Sequence, residues 1–199
     1  MVDMFENMDL TKKQTDAVFR IVRKCESNPI HKNKAGEFCV DDGFMLTDGA
    51  VLLHAPYKFG VKPRLPMEHV DELKNRTYMK HAICAAYKDG DFYRVDDPFS
   101  LYGVASTLRK KLGAYAVVKD GHEIIKLSAV DEFNRRKVEA WFDVRNIINA
   151  FEAVGKDAVG YIGSTPSFFC GRTYLIVEPD GHLGDLSYGI HALVLPMLV

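Results

Sequence analysis

Three residues of the types that nucleophilic catalysis uses, Cys170, Asp180 and His191, stand near the C-terminal end of this 199-residue chain. A thiol nucleophile needs a histidine base within hydrogen-bond reach and an acid that orients the histidine. Cys170, however, closes the run Ser167–Cys170, which is typical of a core strand, and a free cysteine is among the most buried residue types. The sequence therefore predicts a structural Cys170, no catalytic residue and a protein that is not an enzyme.

Metal-binding and phosphate-binding patterns are equally weak. A zinc site needs Cys and His ligands at short spacing, and Cys25, His31 and Cys39 are too scattered to provide one. Gly160 and Gly163 flank a strand-like run, but the Lys-Ser/Thr pair of a phosphate-binding loop does not follow them. We therefore expect no metal ion and no cofactor.

Basic residues cluster on two predicted helices, where they could attract DNA phosphates without reading the base sequence. The first helix runs from Asp9 or Thr11 to about Cys25, and the second ends at Gly113. The candidate DNA-binding residues are Lys12, Lys13, Arg20, Arg23, Lys24, Arg109, Lys110 and Lys111. The cations of the first helix could equally form an ordinary solvated face. Those at the C-terminal end of the second helix could equally be there because cations stabilise the negative end of the helix dipole.

The last third of the chain, Val138–Val199, predicts the most regular structure. Apolar residues at spacings of three and four from Val144 to Val154 indicate a helix that packs on one face. Asp143 is placed to cap this helix and Gly155 to end it. The strands predicted after it are Ala158–Ile162, Ser167–Cys170, Thr173–Val177 and His191–Met197.

Further short strands, turned by Asp-Gly pairs, are predicted in the rest of the chain. Asp97-Pro98 predicts the start of the second basic helix, with an N-cap carboxylate followed by proline at the first helical position. The segment from Pro56 to Pro66 predicts irregular structure. The remaining predicted elements are a short helix at Val70–Asn75 and strands at Glu37–Val40, Phe44–Thr47, Ala50–Ala55, Tyr78–Tyr87, Asp91–Val95, Ala114–Lys119 and Glu123–Val130.

The C-terminal third resembles the closing unit of a DNA sliding clamp. It has a strand, the helix Phe142–Val154 and a strand meander, and Leu195-Pro196-Met197 is similar to the Met-Pro-Met segment on the last strand of bacterial clamps. Phe44–Gly49 is similar to the Thr-Asp turn that follows the first helix in clamps. The resemblance implies a DNA-clamp-like α+β fold, with helices packed on one face of curved antiparallel sheets.

The same resemblance implies two clamp-like halves, a less regular one at 1–90 and a complete one at 91–199. It implies a DNA polymerase processivity factor-like protein that contacts double-stranded DNA through basic helices, without sequence preference, as a possible homo-oligomer. Leu195, Pro196 and Met197 would line a groove for a polymerase-type peptide, although a core-packed last strand is an equal explanation. The alternative function is a protein-interaction or accessory module that keeps the fold but neither closes a ring nor binds DNA.

Composition and charge are ordinary for a soluble globular protein, with 47% hydrophobic and 27% charged residues and a net charge of −1. No apolar run approaches the roughly 20 residues that span a bilayer, so we expect no membrane contact. The N-terminus is acidic and mixed, unlike a signal peptide. Together with four widely separated cysteines, Cys25, Cys39, Cys84 and Cys170, this predicts reduced thiols and a cytoplasmic protein.

Overall fold

The computed structural model describes residues 10–27, 36–40, 43–56, 91–96, 100–131, 136–164 and 173–197. Its helices are α1 (Lys12–Ser27), α2 (Ala105–Gly113) and α3 (Val144–Val154). Its strands are β1 (Gly36–Val40), β2 (Gly43–Thr47), β3 (Val51–Pro56), β4 (Asp91–Arg94), β5 (Leu101–Tyr102), β6 (Val117–Lys119), β7 (His122–Asp131), β8 (Arg136–Asp143), β9 (Ala158–Ser164), β10 (Thr173–Pro179) and β11 (His191–Val194).

Within the described residues, the strands form two antiparallel sheets. The larger sheet has the order β1-β2-β3-β11-β10-β9-β4, and β5 also pairs with β9. The smaller sheet has the order β6-β7-β8. A bridge between Trp141 of β8 and Met197 connects the smaller sheet to the segment after β11. The predicted α+β class, with helices and antiparallel sheets, is confirmed.

Each of the three helices in the described part of the chain is followed by a three-stranded antiparallel meander. Strands β1–β3 follow α1, strands β6–β8 follow α2, and strands β9–β11 follow α3. The final strands of the first and third units pair with each other, from Val51 opposite Val194 to His54 opposite His191. The division into halves at 1–90 and 91–199 stays a prediction. Because β3 and β11 lie on opposite sides of residue 90 in the sequence, the two predicted halves would share one sheet.

Helix α3 is the centre of the core and contacts both sheets and both other helices. Its apolar face includes Ile147 and Phe151, which are fully buried, as the spacing of three and four predicts. The Asp143 side chain accepts hydrogen bonds from the backbone amides of Arg145 (2.7 Å) and Asn146 (3.3 Å), so the predicted N-cap is confirmed. Gly155, at a φ of 125°, follows the last turn.

The prediction for the start of α2 is wrong. The helix begins at Ala105 rather than after Pro98, and Val104 is its N-cap without a side-chain hydrogen bond. Leu101 and Tyr102 instead form β5, paired with Gly160 and Val159 of β9. A Cβ atom at Gly160 would lie 2.9 Å from the Cβ atom of Leu101, so the glycine permits this close approach. Pairing with a distant strand therefore overrides the local helix signal.

Smaller differences occur at other element ends. Pro56 belongs to β3 and pairs with Gly43 of β2, so it is not part of an irregular segment as predicted; the rest of that predicted segment lies outside the described residues. Strand β6 begins at Val117 rather than Ala114, because α2 ends in a turn. Strand β11 ends at Val194, short of the predicted Met197. The elements predicted at Val70–Asn75, Tyr78–Tyr87 and Ser167–Cys170 lie outside the described residues.

Candidate functional site

The first turn of α1 presents two lysines to solvent. Thr11 and Gln14 cap this turn reciprocally, because each backbone amide donates to the other's side-chain oxygen, at 3.0 and 3.3 Å. The Gln14 side-chain amide also donates to the carbonyl oxygens of Ala153 (3.3 Å) and Val154 (3.0 Å) at the end of α3. The turn that carries the exposed Lys12 and Lys13 is therefore held against α3.

Arg20 lies further along α1 and is engaged by α3. Its guanidinium forms an ion pair with Glu152, and its Nε donates to the Asn149 side-chain oxygen at 3.2 Å. The Glu152 carboxylate therefore compensates the charge of Arg20, although 46% of the Arg20 side chain is exposed. Arg23 and Lys24 belong to the same helix, but their side chains lie outside the described residues.

The second basic cluster lies in the C-terminal half of α2. Arg109 and Lys110 are exposed, whereas Lys111 is half-buried and its ammonium donates to the Ser100 carbonyl at 3.3 Å. Leu108 and Leu112 bury the opposite side of the helix, which packs on α3. Exposed cations thus lie on the two helices that flank α3.

The C-terminal segment is tied to both sheets through its backbone. The Leu195 amide donates to the Ala50 carbonyl, and the Met197 amide donates to the Trp141 carbonyl, both at 2.8 Å. Pro196, which has no amide hydrogen, lies between them and beyond the end of β11. The side chains of Leu195, Pro196 and Met197 are all half-buried, which fits neither a fully buried core strand nor a fully exposed tail.

A groove of about 840 Å³, which we call the helix-end groove, opens where the three helices meet. It is lined by the first turns of α1 and α2, by the C-terminal end of α3, and by Pro179, Tyr188 and Gly189. The sequence does not predict this groove, because its lining comes from segments that are distant in the chain. In addition, a helix that begins at Asp97-Pro98 has Val104 in its interior, whereas Val104 is the N-cap of α2. The one local signal was the aromatic Tyr188 in a turn-rich segment.

Two of the three residues of catalytic type, Asp180 and His191, lie in the described part of the chain. His191 is fully buried in β11 opposite His54, and burial lowers the pKa of His191 to about 4. Asp180 is exposed in the turn after β10, and Cys170 lies outside the described residues. Across the described part of the chain, no group of three His, Cys, Asp or Glu side chains could hold a metal ion.

Sequence comparisons find no relative of this chain, whereas a comparison of structures finds a similar protein. No family model and no curated protein matches the chain. Among solved structures, the chain is similar to a DnaN sliding clamp (DNA polymerase III subunit beta) from Bartonella birtlesii, crystallised bound to griselimycin. The sequences are 10% identical and the TM-score is 0.44. The match covers 92% of this chain but 65% of the clamp, so the chain spans about two thirds of that clamp's length. No helix in the described residues is long and apolar enough to cross a membrane.

Proposed function

We propose that this chain is a clamp-like binding protein, without chemistry of its own, that contacts double-stranded DNA through the basic residues of α1 and α2. One observation carries the proposal: exposed cations lie on both helices that flank α3. The resemblance to sliding clamps rests on a helix followed by a strand meander, and this unit occurs three times within the described residues.

Two cations from each helix supply most of the attraction. Lys12 and Lys13 of α1 and Arg109 and Lys110 of α2 are exposed, and no ion pair engages them within the described residues. Lys111 adds to them, because an ammonium that donates one hydrogen bond to a carbonyl keeps two donors for a phosphate. Arg20 contributes less, since Glu152 already neutralises it. Arg23 and Lys24 of α1 stay candidates, since their side chains lie outside the described residues.

Charge reversal tests which residues face the DNA. A double variant, Lys12→Glu with Arg109→Glu, removes one cation from each helix. The control, Arg94→Glu with Lys119→Glu, makes the same charge change at exposed positions of β4 and β6, outside the helices. Fluorescence anisotropy with a labelled duplex at low salt should show at least tenfold weaker binding for the helix variant and little change for the strand variant. Equal losses in the two proteins would refute the helical surface.

Two finer functions accompany the proposal. A homo-oligomeric ring would make the chain a processivity factor-like protein of the cytoplasm, and the half-buried Leu195, Pro196 and Met197 would receive a polymerase-type peptide. Light scattering of the purified chain tests the ring, because a closed ring has the mass of a defined oligomer and a monomer cannot encircle DNA. The accessory module is the alternative, and the Arg20–Glu152 pair favours it because one candidate cation is already neutralised.

A further inference from the structure

The helix-end groove presents two exposed apolar side chains above a buried apolar base. Phe151 and Val154 belong to this base and are 0% and 7% exposed, while Val104 and Tyr188 stand at the rim with 48% and 47% of their surfaces exposed. The Tyr188 ring is held in place by stacking on His182, with ring centroids 3.4 Å apart. Exposed apolar groups that line one concave site mark interaction surfaces, and about 840 Å³ suits several side chains of a bound segment.

The charges around this groove do not cancel. Glu152 is paired with Arg20, and the Asp157 carboxylate lies 4.0 Å from the Lys156 ammonium. Lys12 and Lys13, which also line the groove, form no ion pair within the part of the chain that the structure describes. Among the described residues, two positive charges without an ion-pair partner therefore lie beside the exposed Val104 and Tyr188, and the complementary occupant carries carboxylates beside apolar side chains.

We propose that the helix-end groove binds an acidic peptide segment of a partner protein, with apolar anchors in the groove and carboxylates at Lys12 and Lys13. A DNA duplex satisfies the lysines but has no apolar group to place against Val104 and Tyr188. An acidic peptide satisfies both parts of the lining. This site is separate from Leu195–Met197, which do not line the groove, and it does not depend on DNA binding.

Val104 allows a charge test at one position. It is the N-cap of α2 and makes no side-chain cap, so Val104→Asp and Val104→Ser both introduce a side chain that favours the helix start. The two variants should melt at or above the wild-type temperature, and they differ in that aspartate adds a negative charge to the groove. If Val104→Asp loses binding and Val104→Ser keeps it, the cause is therefore electrostatic repulsion of the peptide and not misfolding of the protein.

The probe is a display library of random 12-residue peptides, selected on the purified full chain, with binders then measured by fluorescence anisotropy. Enriched peptides should be acidic with aromatic or aliphatic residues. Their affinity should fall at least tenfold with Val104→Asp and less than about threefold with Val104→Ser. Tyr188→Glu should weaken them similarly, whereas its matched control Tyr102→Glu, at a residue that is 59% exposed outside the groove, should not.

Three outcomes would overturn the proposal: no enriched peptide, enriched peptides that are not acidic, or binding that Val104→Asp leaves unchanged. The DNA experiment separates this proposal from the proposed function, because Val104 and Tyr188 are not among the DNA-binding candidates. Peptide binding without DNA binding would refute the proposed function alone, and DNA binding without peptide binding would refute the groove alone.

Discussion

His191 shows how a single residue can link the stability of this fold to pH. It lies fully buried in β11, directly opposite His54 of β3, in the pairing that joins the first and third helix-meander units. Burial is the main cause that lowers the pKa of His191 to about 4, and a charged His54 would lower it further. Hydrogen bonds with the backbone at His182 and Gly189 and the charge of Asp185 act in the opposite direction.

We predict that acid destabilises the protein through His191. Between about pH 6.5 and pH 4, His191 is protonated in the unfolded chain and neutral in the folded one, so the unfolded state binds more protons. The free energy of unfolding should therefore be highest above pH 6.5 and fall as the pH is lowered, with a slope of at most about 1.4 kcal/mol per pH unit from this group. Urea unfolding at pH 7 and pH 5 measures the slope. If the His191→Leu variant shows the same dependence of the free energy of unfolding on pH, that dependence arises from other titratable groups.

Met197 distinguishes a packing role from a binding role at the C-terminus. Its backbone is fixed to Trp141, but its side chain is half-buried. We predict that Met197→Ala lowers the free energy of unfolding by about 1 kcal/mol, below the roughly 2–5 kcal/mol expected for a fully buried site. It should weaken a bound polymerase-type peptide by about 1–3 kcal/mol. Leu53→Ala in β3 is the buried control, and a loss for Met197→Ala as large as that of Leu53→Ala would make Met197 a core residue.

At the scale of elements, α3 shows what sequence reasoning can predict and α2 shows what it cannot. The cap, the apolar face and the end of α3 all depend on residues within or next to the helix, so the sequence of 143–155 contains the whole signal. The Asp120-Gly121 hairpin is equally local, and both residues adopt the positive φ that this turn requires, 50° and 79°.

The start of α2, by contrast, depends on a strand far away in the sequence. Asp97-Pro98 is a sound local signal, but Leu101 and Tyr102 gain backbone pairing with β9, and the helix begins after Gly103. The helix-end groove could not be predicted for the same reason, because the ends of three helices and Tyr188 meet only in the folded chain. The candidate cations were found by sequence, whereas the Glu152 partner of Arg20 was not.

The cap of α3 allows an element-scale prediction. The Asp143 carboxylate accepts two backbone amides and also meets the His122 ring nitrogen at 2.7 Å. We predict that Asp143→Ala lowers the free energy of unfolding by about 0.5–2 kcal/mol, because the first turn of α3 loses its acceptor. Asp143→Asn keeps an acceptor oxygen and should be milder. Urea unfolding of both variants measures the difference, and equal losses would mean that the interaction with His122, rather than the cap, stabilises this end of α3.

At the scale of the whole molecule, the helices and the sheets have separate roles in the proposed account. The strands of the first and third units form one continuous sheet through β3 and β11, and α3 packs against both this sheet and the smaller one. Helices α1 and α2 carry the candidate DNA-binding cations, and the C-terminal segment is hydrogen-bonded to Ala50 beside β3 and to Trp141 of β8. DNA binding is the central claim, because the ring and the processivity role follow only if the helices contact phosphates.

The salt dependence of DNA affinity in the wild-type chain tests that claim most directly. Each phosphate contact releases counterions, so about four contacts from Lys12, Lys13, Arg109 and Lys110 predict a slope near −3.6 for the logarithm of the association constant against the logarithm of salt concentration. Anisotropy titrations of two unrelated duplex sequences between low and physiological salt should give this slope and similar affinities for both. No binding at low salt, or an affinity that does not change with salt, would contradict the account.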